Sequence, residues 1–210
     1  MYRADGKFNM WPGVDAGYYD DSGVADFGRE YVSAFVSYFL LEANRSGYAV
    51  RADMIRKIHA SLGIQDAIEH GRLDRREEGR TWTTSDPFAL YLRAIAGRPD
   101  VETMDYVKGT LWGKMDYVER CELARAYAAS GDTATAAGLL PSEFMMKYFR
   151  RSRGGDFDSI VKRLSTYLLT LHEIRPSDPR ISRIAAEIEK YADGGQFGTT
   201  HDNMYALLAL

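Results

Sequence analysis

The sequence predicts an all-α protein made of stacked helical hairpins in a layered α/α arrangement, and three observations carry that prediction. Apolar residues recur at spacings of three and four in several segments. Cap-plus-proline or glycine signals bracket most of those segments. No stretch sustains the period-two alternation of a half-buried strand. With 210 residues, 45% of them hydrophobic, the chain is long enough for one substantial core.

Taken in order, Tyr31, Val32, Phe35, Val36, Phe39, Leu40 and Ala43 line one face of a helix over Arg29 to Asn44, which Gly47 ends. Ala52 to Leu62 repeats the pattern more weakly, and the polar stretch 72–80 reads as a solvated connection. Ser85-Asp86-Pro87 offers an N-cap followed by proline at the first helical position, leading into Phe88 to Ala96 with Gly97 as the stop. Tyr117 to Ser130 and Thr133 to Leu140 form a hairpin about the turn Gly131-Asp132. Phe157 to Ile174 is a long apolar-striped helix, and Asp178-Pro179 opens a more polar one that runs to Ala192. Gly194-Gly195 makes a turn, Thr199 or Thr200 caps the last helix, and Asn203 to Leu210 is its apolar body. Strongly apolar helices thus alternate with weaker ones, as expected if the first kind is inside and the second forms an outer layer. Periodicity leaves open whether the layers form an open solenoid or a closed toroid.

Composition excludes several classes. The net charge of -3 gives no electrostatic reason for a nucleic-acid partner or an anionic membrane. No apolar run approaches the roughly 20 residues of a membrane helix, and residues 1–15, with Arg3, Asp5 and Lys7, hold no signal-peptide apolar segment. The single cysteine, Cys121, excludes an internal disulfide and leaves the redox compartment open. Tyr205 to Leu210 is an apolar helix without a C-cap glycine or a polar last turn, so residues 1–210 are expected to be one helical domain excised from a larger multidomain protein.

Three segments in order carry a family resemblance: Asp5-Gly6-Lys7-Phe8-Asn9-Met10-Trp11-Pro12-Gly13; Tyr31 to Ala43 followed by Gly47-Tyr48; and Gly195-Gln196-Phe197-Gly198-Thr199-Thr200 followed by Ala206-Leu207-Leu208-Ala209-Leu210. Together they resemble the thioester-domain region of bacterial α2-macroglobulins. Ala89 to Gly97 with Pro99, and the hairpin 121–140, also match the middle helices of that family in character. The resemblance implies an α/α toroid, here incomplete, in a periplasmic, envelope or extracellular protein that traps proteases by conformational change. Its partners would be the other domains of the parent chain and, through the parent, target proteases, with no cofactor. The family's thioester motif is Cys-x-Glu-Gln. Here Cys121-Glu122-Leu123-Ala124 lacks the glutamine, so no thioester and no catalytic residue is expected, and the segment is not expected to be an enzyme.

The candidate site residues are Trp11, Tyr18, Tyr19 and Arg29, from an aromatic-rich entrance with interleaved charges. Such a composition occurs where sugars or proteins stack on a cleft, although packing at the end of a toroid is the better account of it. Cys121 lies on an apolar face and reads as a buried structural thiol. His59, His70, His172 and His201 show no paired helical spacing, so no metal site is expected. The adjacent acids Asp20-Asp21 and Glu77-Glu78 point apart on regular structure and read as surface. Arg150, Arg151 and Arg153 beside Gly154-Gly155 read as a solvated basic loop before a phosphate site. Leu123 to Asp132 is similar to one tetratricopeptide hairpin, but the 34-residue echo of a solenoid is missing. The alternatives kept open are a carbohydrate-active α/α-toroid enzyme, a lyase or glycoside hydrolase using two acids across a cleft, and a helical-repeat scaffold that binds peptides.

Overall fold

The computed structural model describes residues 24–61, 86–142 and 158–210. Within them the chain is helical with no strand, as the all-α expectation requires; one isolated bridge pairs Asp193 with Gln196. Helix α1 spans Val24–Arg45, α2 Ala52–Ser61, α3 Asp86–Ile95, α4 Val101–Tyr106, α5 Tyr117–Ala129, α6 Thr133–Leu139, α7 Ile160–Ile174, α8 Arg180–Glu189 and α9 Thr200–Ala209.

Local chemistry sets most of the boundaries. Asp116 and Glu119 form a reciprocal capping box at the start of α5, while Asp132, Ser159 and Thr199 each accept a backbone N–H of the helix they precede. After α1, α3 and α5 the chain turns out through Gly47, Gly97 and Gly131, all at positive φ, a conformation in which a Cβ is strained. The sequence pattern locates these stops correctly. It places the start of α7 at Phe157, which lies outside the described residues; the described helix begins at Ile160, after the Ser159 cap. It also runs α8 three residues too far, to Ala192 instead of Glu189.

One helical segment has no counterpart in the sequence reading. From Val101 to Lys114 the chain runs as α4, a π turn over Val107–Leu111 and a 3-10 turn over Trp112–Lys114. Met104, Val107 and Leu111 are buried there at intervals of three and four. Gly109, Thr110 and Gly113 between them lower helix propensity and hide the stripe, and the widened turn keeps the buried line pointing inward.

The odd-numbered helices run parallel to one another. Tyr117, Cys121 and Arg125 along α5 meet Tyr167, Thr170 and Glu173 along α7 in the same order. Ser159 and Lys162 of α7 likewise meet Asp202 and Tyr205 of α9. Tyr38 of α1 packs on Phe88 and Tyr91 of α3, and Tyr91 packs on Arg125 of α5. The even-numbered elements are the return passes. Two of them bury little: only Ala136 on α6, and only Ile184 and Ile188 on α8. In contrast α5 and α7 are buried on nearly every side, with α5 shared between a core built on α1 to α5 and a second built on α7, α8 and α9.

On α1 the buried line is Ala34, Tyr38 and Leu41, whereas Phe39, placed by sequence on the buried stripe, is 64% exposed. The helix is apolar on several sides over this stretch, so spacing alone does not choose the inner face. The ring of Phe35 lies 6.1 Å from that of Tyr205, bringing α1 against α9.

Candidate functional site

Of the sequence-predicted site residues, Trp11, Tyr18 and Tyr19 lie outside the described residues, and Arg29 falls within α1 with its side chain also outside them. His70, Asp20, Asp21, Glu77, Glu78 and Arg150 to Gly155 lie outside the described residues too. Cys121 is fully buried and hydrogen-bonded to Thr170. Burial pushes its thiol well above the usual range, which disfavours the thiolate a nucleophile needs. His201 packs edge-on against Tyr205 at 4.8 Å, and His172 is exposed on α7. Among the described residues no three His, Cys, Asp or Glu side chains gather as metal ligands.

The structure assembles a site that the sequence did not announce. Arg125 of α5 is buried, and its guanidinium grips Glu173 of α7 with two parallel bonds, Nε to Oε2 at 2.9 Å and Nη2 to Oε1 at 2.6 Å. Nη2 also donates to the Tyr91 hydroxyl at 2.8 Å, and that hydroxyl donates onward to Glu173 Oε1 at 3.1 Å. The guanidinium carbon lies 4.0 Å from the centre of the Tyr91 ring and 6.0 Å from that of Tyr38. Burial resists the charge on Arg125, but Glu173 and Tyr91 more than offset this and hold it firmly protonated. Burial likewise drives the Tyr91 phenol far up, keeping it neutral and able to donate.

Above this triad opens a cavity of about 350 Å³, with the rings of Tyr38 and Tyr91, the carboxylates of Glu42 and Glu173, and Arg45 around it. Ile95 and Ala128 supply apolar wall. Arg45, 54% exposed in its side chain, bonds Glu42 at 2.8 Å. Both carboxylates of the cavity are therefore held by guanidinium groups, which suits anchoring.

A second polar cluster lies where α5, α7 and α9 pack. Glu122 and Lys162 are both buried and within electrostatic range of each other. Desolvation pushes the Glu122 carboxyl up and the Lys162 ammonium down, while each partly restores the charge of the other. Lys162 also faces the Tyr205 ring at 5.7 Å. Ser159 donates to Asp202, which accepts from Thr199 as well, so one carboxylate joins the first turns of α7 and α9. Glu122 Oε2, Ser165 Oγ and Thr166 Oγ1 are buried without a hydrogen bond among the described residues, the usual sign of places that internal water fills.

None of Arg125, Glu173, Glu122 or Lys162 stands out in the sequence. Arg125 and Glu173 are 48 residues apart, and charges inside an apolar helical pattern look like a solvated face until the partner is known. The one available signal is that α5 carries Glu119, Glu122 and Arg125 on successive turns without an apolar stripe strong enough to oppose them. Comparison with protein-family models, with curated proteins and with solved structures finds no match to this chain.

Proposed function

We propose that this chain is a non-catalytic helical domain of a bacterial α2-macroglobulin-like protease inhibitor, an α/α toroid working in the periplasm or cell envelope as part of a protein that traps proteases by changing conformation. The observation that carries the reading is spatial. Of the three segments that resemble the family, the second forms α1 and the third forms the turn into α9, and these two helices meet through Phe35 and Tyr205. The Gly198-Thr199-Thr200 turn is built as a start signal, with Thr199 capping α9 and Asn203 bonding back to Phe197 and Thr199. Five parallel inner helices with return passes between them are the arrangement a toroid needs.

Exposed apolar side chains support the placement in a larger protein, since a domain within a multidomain chain covers such residues against its neighbours. They are Phe39 on α1 and Leu207 and Leu208 on α9, together with Val101 and Tyr106 on α4. A carbohydrate-active enzyme has less support, because the cavity carboxylates Glu42 and Glu173 are both engaged by arginines.

The test is to incubate the full-length protein that contains this chain with a protease. The protease's remaining cleavage of a large protein substrate is then compared with its cleavage of a small peptide. Selective loss of large-substrate cleavage is expected of a trap. Unchanged cleavage of both, across serine, cysteine and metalloproteases, would remove the trapping role.

A further inference from the structure

The cavity above Arg125 lies at one pole of the inner layer. Glu42 and Arg45 belong to the last turn of α1, Ile95 ends α3, Ala128 is in the last turn of α5 and Glu173 in that of α7. Because these helices are parallel, four negative macrodipole ends converge on one opening, and two carboxylates add to them. The field at the mouth therefore favours a cation. The buried cation beneath it, Arg125, already engages Glu173 and Tyr91 and stacks on the Tyr91 ring, so it is not free to receive an anion. Arg45 pairs with Glu42 from a mostly exposed position, a type of surface pair that holds weakly and exchanges readily. Glu173 has its two oxygens on Arg125, yet its side chain remains 32% exposed, so a carboxylate edge is left toward the cavity.

We infer that this cavity is a binding site for an alkylammonium or alkylguanidinium group, the chemistry shared by lysine and arginine side chains and by free aliphatic amines. The charged head lies between Glu42 and Glu173 and displaces Arg45 into solvent. The methylenes lie along Tyr38, Ile95 and Ala128, in a volume of about 350 Å³ that holds one such chain and excludes a folded segment. Arg125 fixes the position of Glu173 from beneath and takes no part in contacting the ligand. This site is independent of the protease-trap reading and stands or falls on the cavity alone.

Binding is measured by the shifts of the Tyr38 and Tyr91 ring resonances during titration with n-butylammonium and n-butylguanidinium. The neutral and anionic controls of similar length are n-pentanol and valerate. Capped lysine and capped arginine amides form the second arm. Saturable binding of the cations, at least about tenfold tighter than of either control, is expected. Glu42→Gln should weaken it about tenfold, and Ala128→Leu, which fills the wall and keeps every charge, should abolish it. Both changes lie at partly or fully exposed positions, and an unchanged circular-dichroism melt verifies that the variants fold. Tighter binding of the capped amides than of the free cations assigns the site to a polypeptide side chain. Binding of the free cations alone assigns it to a small amine. Absence of saturation, equal affinity for pentanol and valerate, or undiminished binding by folded Ala128→Leu overturns the assignment.

Discussion

Arg125 and Glu173 form an asymmetric pair, and the asymmetry predicts which partner tolerates replacement. Arg125 is buried, whereas the Glu173 side chain is 32% exposed. Arg125→Met keeps the packing against Tyr91 and lets Glu173 turn to water, so its cost should be about 2 kcal/mol. Glu173→Ala strands a guanidinium among aromatic rings and should cost more, about 3–5 kcal/mol, although it alters the more exposed residue. Urea unfolding of the two variants checks the order, and equal costs would show that the guanidinium finds water or another acceptor. A second residue-scale effect concerns pH. Burial, with help from Lys162, lowers His201 from 6.5 to about 4, against the opposing pull of Asp202 and Asp158. Between those values the unfolded chain binds a proton that the folded chain refuses. Stability from this group is therefore full above pH 6.5 and falls as pH drops toward 4. His201→Phe, which keeps the ring on Tyr205, should flatten that part of the stability-pH curve. The difference should be no more than about 2 kcal/mol, given partial solvent screening of the ring.

At the scale of the helix, caps do more here than end a segment. Ser159 accepts from the Lys162 N–H at 3.0 Å and donates to Asp202 of α9, so the cap of α7 is also the joint between two inner helices. Ser159→Ala should therefore cost about 2 kcal/mol, against about 1 for Asp132→Ala, whose exposed side chain caps α6 alone. Equal losses in denaturant unfolding would mean that Asp202 is satisfied through Thr199 without Ser159. Caps of this kind are what the sequence made legible. Gly97, Gly131 and Thr199 mark helix ends by local chemistry that needs no tertiary context, and the structure has all three in those roles. The pass from Val101 to Lys114 is hidden because Gly109, Thr110 and Gly113 lower its helix propensity around only three buried apolar positions, Met104, Val107 and Leu111. The inner face of α1 was misjudged for a related reason. Phe39 and Tyr38 are neighbours of similar hydrophobic character, and only packing against Phe88 and Tyr91 selects Tyr38. The Arg125 cavity was illegible because each of its walls comes from a different helix, with a spacing in sequence that carries no period.

For the molecule as a whole a ring and a solenoid differ in whether α1 and α9 are neighbours, and the Tyr205 ring lies 6.1 Å from that of Phe35. Tyr205 is buried, packs under His201 and receives the Lys162 ammonium on its face, so it anchors α9 to α7 as well as to α1. Tyr205→Ala should cost about 3–4 kcal/mol through the lost ring and the cavity left behind. The distribution of that loss distinguishes the two architectures. In an open stack each layer is stabilised by its immediate neighbours, so weakening the last helix should raise amide exchange in α9 and in the adjoining part of α7 while α1, at the other end of the stack, keeps its protection. In a closed ring α1 and α9 are neighbours, and α1 should lose protection together with α9 although Phe35 and Tyr205 lie 170 positions apart in sequence. Hydrogen exchange of Tyr205→Ala, followed by mass spectrometry over peptides from residues 33–45 and 200–210, reads this directly. Joint deprotection is the outcome expected of a toroid, because the ring then opens at its seam. Deprotection confined to α9 and α7 would make the Phe35 contact incidental and the layered helices an open stack, a geometry whose exposed inner edge would suit peptide binding.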